Sequence, residues 1–181
     1  NAMVVKDATY NGADSVMYNG TMSKVQSVQN ANEANIQGVS GNLLVDFSEH
    51  ISLKSSLTYT HGIYKDLQND TVVPMDHIAP LFGQTSLNYK FKRLETVFYA
   101  QYSGAKKLKD YSPSGEDNLA QATATGMPPW ATFNIKATIT AHKYIFINIG
   151  VENLFDTHYR QFASGISAPG RNVVVSLRGK F

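Results

Sequence analysis

The chain has no cysteine among its 181 residues. That removes disulfide frameworks, thiolate metal sites and cysteine nucleophiles together. It also lacks any apolar run approaching the roughly 20 residues of a membrane-spanning helix, in keeping with a mean hydropathy of −0.24. Helical membrane proteins are thereby excluded. β-barrels are not, because their spanning strands are half polar and nearly invisible to hydropathy. There is little charge of either sign to spare: the net charge is +2, and no basic cluster is interleaved with aromatics, so nothing calls for nucleic acid. A signal peptide is missing as well. The opening Asn1–Ala2–Met3 reads as a cloning scar before an introduced start, and is set aside from fold reasoning. On that reading the chain is cut from a longer protein.

What is present is alternation. Read backwards from the end, Phe181, Gly179, Leu177, Val175 and Val173 share one face, and Lys180, Arg178, Ser176, Val174 and Asn172 the other. This is the period of two expected of a half-buried strand. The same pattern recurs upstream. Val39, Gly41, Leu43, Val45 and Phe47 oppose Ser40, Asn42, Leu44 and Asp46; Ile51, Leu53, Ser55, Leu57 and Tyr59 oppose Ser52 to Thr60. Further strands are expected over 81–91, 94–102, 132–140 and 145–152. Residues 4–21, rich in Asn, Gly, Asp and Ser, read as a loop with at most a strand stub at Val4–Lys6. Over 22–47 the pattern allows one long bulged strand or a hairpin.

The connections between these strands alternate short and long. Short turns fall at Ser48–His50, near Lys92 and at Ala141–His142; long polar loops fall at Lys65–Ala79, Gly104–Pro129 and Asp156–Gly170. An antiparallel meander of about seven or eight strands follows, with its turns at one end and its loops at the other. Outer-membrane barrels have this asymmetry, whereas soluble sandwiches favour Greek-key crossovers. Aromatics near both strand ends agree: Phe47, Phe91, Tyr144 and Phe181 at the turns, and Tyr59, Tyr102, Trp130 and Phe155 at the loops. A soluble β-sandwich, or a soluble barrel with a ligand inside, is the competing reading. It requires the apolar faces to be buried together.

The stretch Val151–Glu152–Asn153–Leu154–Phe155–Asp156–Thr157–His158–Tyr159–Arg160, followed by Ala168–Pro169–Gly170–Arg171 and a last strand ending in Phe181, resembles the C-terminal region of TonB-dependent outer-membrane receptors. Ile36–Gln37–Gly38–Val39 is similar to a further segment of that family, although Ser40 stands where Glu is usual. Gly179 is a second departure, at a position where a bulkier residue is common. The resemblance covers roughly Met22 to Phe181. It implies that residues 22–181 are the C-terminal segment of a barrel of about 22 strands with a plugged lumen, with the plug and the TonB-contacting segment outside this chain. It further implies import of a scarce nutrient across the outer membrane, most often a ferric siderophore or other iron complex. The implied partners are outer-membrane lipid, TonB, the iron chelate and the barrel-assembly machinery, which would read Val173, Val175, Leu177 and Phe181. A self-contained barrel of about eight strands with an adhesive or structural role is the alternative.

Candidate ligand contacts then lie in the long loops. Tyr111, Tyr159 and Arg160, with Lys106, Lys107 and Lys109, could meet an anionic aromatic chelate by charge pairing and cation–π contact. His77 and His158, and also His61, fall near the same end, whereas His50 and His142 lie in short turns. No two histidines stand at ligand spacing, which argues against a zinc site. Phe155, Asp156 and Tyr159 are expected to shape the exit from the seventh strand. No nucleophile–base–acid set is present, and Gly165 and Gly170 open no helix. The sequence calls for neither enzyme nor cofactor.

Overall fold

The computed structural model describes residues 2–31, 33–66 and 70–181. Its strands are β1 (Ala2–Asp7), β2 (Ser15–Tyr18), β3 (Thr21–Lys24), β4 (Gln26–Ala31), β5 (Ala34–Asp46), β6 (Ile51–Asp66), β7 (Thr71–Pro74), β8 (Phe82–Phe91), β9 (Leu94–Ser103), β10 (Lys106–Lys107), β11 (Gly126–Met127), β12 (Trp130–His142), β13 (Ile145–Glu152) and β14 (Asn172–Gly179). The main sheet runs β5–β6–β8–β9–β12–β13–β14, with β7 paired beside the upper part of β6. Every neighbouring pair is antiparallel. This is the expected meander. β8 and β9, at 10 residues each, match the length of a tilted membrane-spanning strand.

Register is where the sequence pattern becomes a surface. Val39 pairs with Tyr59, Leu53 with Leu87, Leu87 with Phe98, Phe98 with Ile135, Ile135 with Val151, and Val151 with Val173. The apolar rows of seven strands therefore share one face. That face is open: Val39 is 68% exposed and Leu177 74%. The fully buried side chains are instead polar, chiefly Thr132 and Ser112, and the buried apolar set among the described residues is Tyr64, Tyr111 and Met127. A soluble sandwich would show the reverse, because its core is where the apolar rows meet.

The opposite face is knitted by side-chain hydrogen bonds across the strands. Ser40 Oγ and Thr58 Oγ1 lie 3.1 Å apart, Gln101 donates to Gln84, and Thr138 donates to Asn148, which donates in turn to Ser176. Cross-strand pairs of this kind stabilise a sheet by a few tenths of a kcal/mol to ~1 kcal/mol each. On the apolar face one hydroxyl chain, Ser55–Thr85–Tyr102, satisfies itself at 2.8 and 3.3 Å. Tyr102 can reach it because its ring lies across Gly83. A Cβ at Gly83 would stand 2.4 Å from the Ser56 carbonyl and 2.8 Å from the Tyr102 ring.

The turn end is tight. Lys92 and Arg93 join β8 to β9, with Lys92 in the left-handed region (φ 52°), and Lys143 and Tyr144 join β12 to β13. Cations lie over the aromatic belt here, Lys92 5.0 Å from the Phe91 ring and Lys143 4.7 Å from that of Tyr144. Each ammonium thus lies over a ring face, where the ring quadrupole attracts it.

Four expectations need correction. Residues 4–21 are not mainly loop. β1 pairs with β4, and β2–β3 is a hairpin whose Asn19–Gly20 turn has both φ positive, at 48° and 79°. Asn-Gly between short alternating segments is a strong hairpin signal, and here polar composition masked it. Ala2 and Met3, set aside as a scar, begin β1. The 22–47 run is neither one strand nor a hairpin: β4 pairs outward with β1 and β5 with β6. Asn32, between them in sequence, lies outside the described residues, as do Asn1, Leu67, Gln68 and Asn69. Finally, Trp130 is not part of an outer aromatic belt. It shares the phase of Thr132 and Asn134 on the polar face, while Phe133 and Phe155 meet on the apolar face with ring centroids 5.5 Å apart.

β5 and β14 each have one neighbour in the main sheet, so the sheet is open rather than a closed small barrel. With two unpaired edges and an unburied apolar face, the chain is expected to associate in plain buffer and to run as a monomer in mild detergent. Size-exclusion chromatography with light scattering reads this directly, and a clean monomer without detergent would contradict it. Gly83→Val should displace Tyr102 and cost about 1–3 kcal/mol in urea unfolding of the micelle-bound chain. Wild-type stability would count against the packing described.

Candidate ligand-binding site

The site is built from the two longest connections. The loop between β9 and β12 is pinched at its base by β10 and β11, which pair Lys106 with Met127 and Lys107 with Gly126. Gly126 has φ 104°, and a Cβ there would overlap the Lys106 carbonyl at 2.0 Å. Only glycine closes this loop. Within it, 3₁₀ turns at Leu108–Asp110 and Leu119–Gln121 flank Asn118, which takes the left-handed conformation at φ 54°.

The loop between β13 and β14 is organised by Asn153. Its backbone N–H donates to Asn134 Oδ1 at 2.8 Å, its Oδ1 accepts from the Thr157 N–H at 2.9 Å, and its Nδ2 donates to the Thr157 carbonyl at 2.9 Å and to that of Pro169 at 3.4 Å. One buried amide thus ties strand exit, loop start and loop end. Asp156 completes the closure by accepting from the Arg171 N–H at 2.7 Å, in space that Gly170 leaves open. The Asn-Leu-Phe-Asp and Pro-Gly-Arg segments are the two sides of one clasp. Asp156 plays the turn-shaping part expected of it. Phe155 points to the apolar face, and Tyr159 packs on Trp130.

Between the two loops lies a cleft of ≈180 Å³. The Trp130 and Tyr159 rings form one wall at 4.3 Å, beside Met127, Pro128 and Pro129. Tyr111 closes the other side, edge-on to Phe162 at 6.2 Å. Arg160 reaches across it and donates from Nη1 to the Gln121 carbonyl at 2.9 Å. His158 Nε2 lies 3.1 Å from Ser167 Oγ at the rim. Of the five candidate contacts read from sequence, Tyr111, His158, Tyr159 and Arg160 line this one cleft. His77 does not. Its backbone N–H donates to Asp117 Oδ1 at 2.8 Å while its ring stays largely exposed.

Among the lining residues that the sequence did not single out as contacts, Trp130 and Asp117 stand apart. Each holds a buried polar atom with no partner among the described residues, Trp130 Nε1 and Asp117 Oδ2. Such atoms are uncommon because each costs ~1–3 kcal/mol. Burial holds the Tyr111 phenol above its usual range, and the Asp117 charge adds to that shift. Burial also lowers the Lys106 ammonium, opposed by Asp117, Asp110 and Asp76. No group of three His, Asp or Glu among the described residues is arranged to hold a bare metal ion. Far from the cleft, Val173, Val175 and Leu177 stand exposed along β14, with Phe181 beyond its end.

The family profile described as "TonB dependent receptor-like, beta-barrel" matches residues 3–154. The chain is 27% identical over 170 residues to the ferric enterobactin receptor PirA of Pseudomonas aeruginosa, covering 90% of this chain and 22% of that protein. Among solved structures it superposes on the copper transporter OprC with a TM-score of 0.72 at 17% identity, over 93% of this chain and 26% of that one. The ferric yersiniabactin uptake receptor FyuA of Yersinia pestis gives a TM-score of 0.63 at 18% identity, over 86% and 25%. The chain therefore spans about a quarter of the length of the relatives it matches.

Asn153→Gly keeps the left-handed backbone (φ 51°) but deletes the side-chain bonds. It is expected to destabilise the β13–β14 loop by about 1–3 kcal/mol, seen as early proteolysis between residues 155 and 170. Unchanged cleavage kinetics would refute the clasp.

Proposed function

Because the chain belongs to the TonB-dependent receptor-like β-barrel family, proteins of the bacterial outer membrane, we propose that it is the C-terminal wall of a receptor importing a ferric siderophore or another iron complex. Residues 22–181 form the segment of that wall, and the plug and the TonB contact belong to the remainder of the receptor. The family is one of receptors and transporters rather than enzymes. Outer-membrane lipid covers the apolar face. The exposed β14 row of Val173, Val175 and Leu177, with Phe181, is the signal offered to the barrel-assembly machinery.

The observation carrying this reading is the cleft between the two longest loops. Its volume of ≈180 Å³ is below the ~300 Å³ typical of a complete small-molecule site, so it suits one ring or arm of a chelate whose remainder meets other parts of the barrel. Trp130 and Tyr159 supply a stacking wall. Arg160 uses Nη1 on Gln121, and its other nitrogens can serve an anionic oxygen. The unpartnered Trp130 Nε1 is a second donor for such an oxygen. Together they fit a planar, oxygen-rich, anionic group. PirA and FyuA, both receptors for ferric complexes, are in keeping with such a ligand.

Trp130 is the chain's single tryptophan, so its emission reports on the cleft alone. Titrating the micelle-bound chain with ferric complexes of anionic aromatic chelators should quench it saturably. Arg160→Gln should weaken that binding by roughly tenfold, the order of one charge-assisted hydrogen bond at 1.5–3 kcal/mol. Quenching that neutral iron complexes reproduce equally, or that ignores Arg160→Gln, would sink the assignment.

A further inference from the structure

Lys106 is only 5% exposed, although it belongs to a surface loop whose neighbours Lys107 and Lys109 are solvated. A buried ammonium is costly unless its surroundings compensate it, so what surrounds this one is informative. Its Nζ donates to the Ile78 carbonyl in the β6–β8 connection. The same nitrogen lies 5.8 Å from the Tyr111 ring in its own loop and 4.6 Å from the Phe162 ring in the β13–β14 loop. Three separate long connections meet on one nitrogen. Asp117, Asp110 and Asp76 supply the negative charge around it.

The β9–β12 loop is the common partner in the remaining ties. Asp117 accepts from the His77 N–H, Ser114 donates to Asp76, and Asn118 Nδ2 donates to the Ala163 carbonyl at 2.6 Å. Tyr111 and Phe162, the two rings facing Lys106, adjoin the cleft, Tyr111 as a lining residue and Phe162 between the lining residues Gln161 and Ala163. A shift of the ammonium therefore moves both loops that bound the cleft.

We propose that Lys106 is a positioning residue that sets the width of the aromatic cleft by drawing the three long connections onto its ammonium nitrogen. Its bearing on ligand binding rests on the reading of the cleft given above; its role as a clasp does not. Lysine suits the position because a compact ammonium can serve a carbonyl and two ring faces at once.

The test compares Lys106→Met, Lys106→Arg and the exposed control Lys107→Met in the micelle-bound chain by amide hydrogen exchange, with Trp130 quenching as a second readout. Lys106→Met should speed exchange at least tenfold at His77, Tyr111 and Ala168, whose N–H groups bond Asp117, Leu108 and Tyr159, one in each connection. The β9 and β12 amides should stay protected. Lys107→Met should change nothing, and Lys106→Arg should recover most of the protection. Acceleration confined to Tyr111, or absent, overturns the proposal. If Lys106→Met also releases the strand amides, Phe162→Leu decides instead. It removes one ring from the nitrogen, and acceleration at His77, which Phe162 does not touch, supports the clasp, whereas an unchanged His77 overturns it. Three loops loosening together in Lys106→Met, with no chelate quench in the wild type, would support the clasp and remove the ligand reading alone.

Discussion

The backbone ladder fixes register, and register fixes which face every side chain takes. In a sheet with a side-chain period of two, a slip of one residue between any two strands would carry a whole strand's apolar row to the other side. Here seven strands keep Val39, Leu53, Leu87, Phe98, Ile135, Val151 and Val173 on one face. The other face places Thr138, Asn148 and Ser176 in bonding sequence. These arrangements reinforce each other. No second layer of protein covers the apolar face among the described residues, and the polar ladder ties the strands together on the opposite side.

Such a sheet leaves the ends of the strands as the place where individuality can reside. The turn end uses links of two to four residues, with lysines over aromatic rings at two of them. The loop end needs long excursions that return to adjacent strands, and the two longest are each closed by a residue suited by its backbone or its amide. Gly126 closes one because a side chain would collide with the Lys106 carbonyl. Asn153 closes the other because one buried amide satisfies groups at both ends of the loop. Rigid closure lets flexible sequence hold Trp130 against Tyr159 and keep Arg160 across the gap.

Charge is concentrated in those loops for a related reason. Lys106 and Asp117 are both buried, and Asp117, Asp110 and Asp76 together compensate the Lys106 charge. Asp117 links that charge to the cleft, whose wall is the Trp130–Tyr159 pair. Asp117 Oδ2 and Trp130 Nε1 stay unpartnered within it. Among the described residues the other buried side-chain polar atoms are satisfied, as in the Asn134–Asn153 pair.

The sequence by itself determined the strands of the main meander, though not the short β7, β10 and β11 inside its loops, and with them their antiparallel order, the segregation of turns from loops and the family. All of these rest on local periodicity and short-range chemistry: alternation in Ile145–Val151, a two-residue turn at Lys92–Arg93, and the paired Asn-Leu-Phe-Asp and Pro-Gly-Arg segments. Even the β2–β3 hairpin was legible in Asn19–Gly20, had its backbone chemistry been weighed above its polarity. Only the tertiary structure decided that Tyr111, His158, Tyr159 and Arg160 share a cleft while His77 stands outside, that Trp130 faces inward, and that Lys106 is buried. Those outcomes depend on contacts between residues dozens of positions apart, such as Lys106 with Ile78 and Phe162. No local pattern encodes the meeting of three loops on one nitrogen, because loop sequence limits backbone freedom without fixing where the loop ends up.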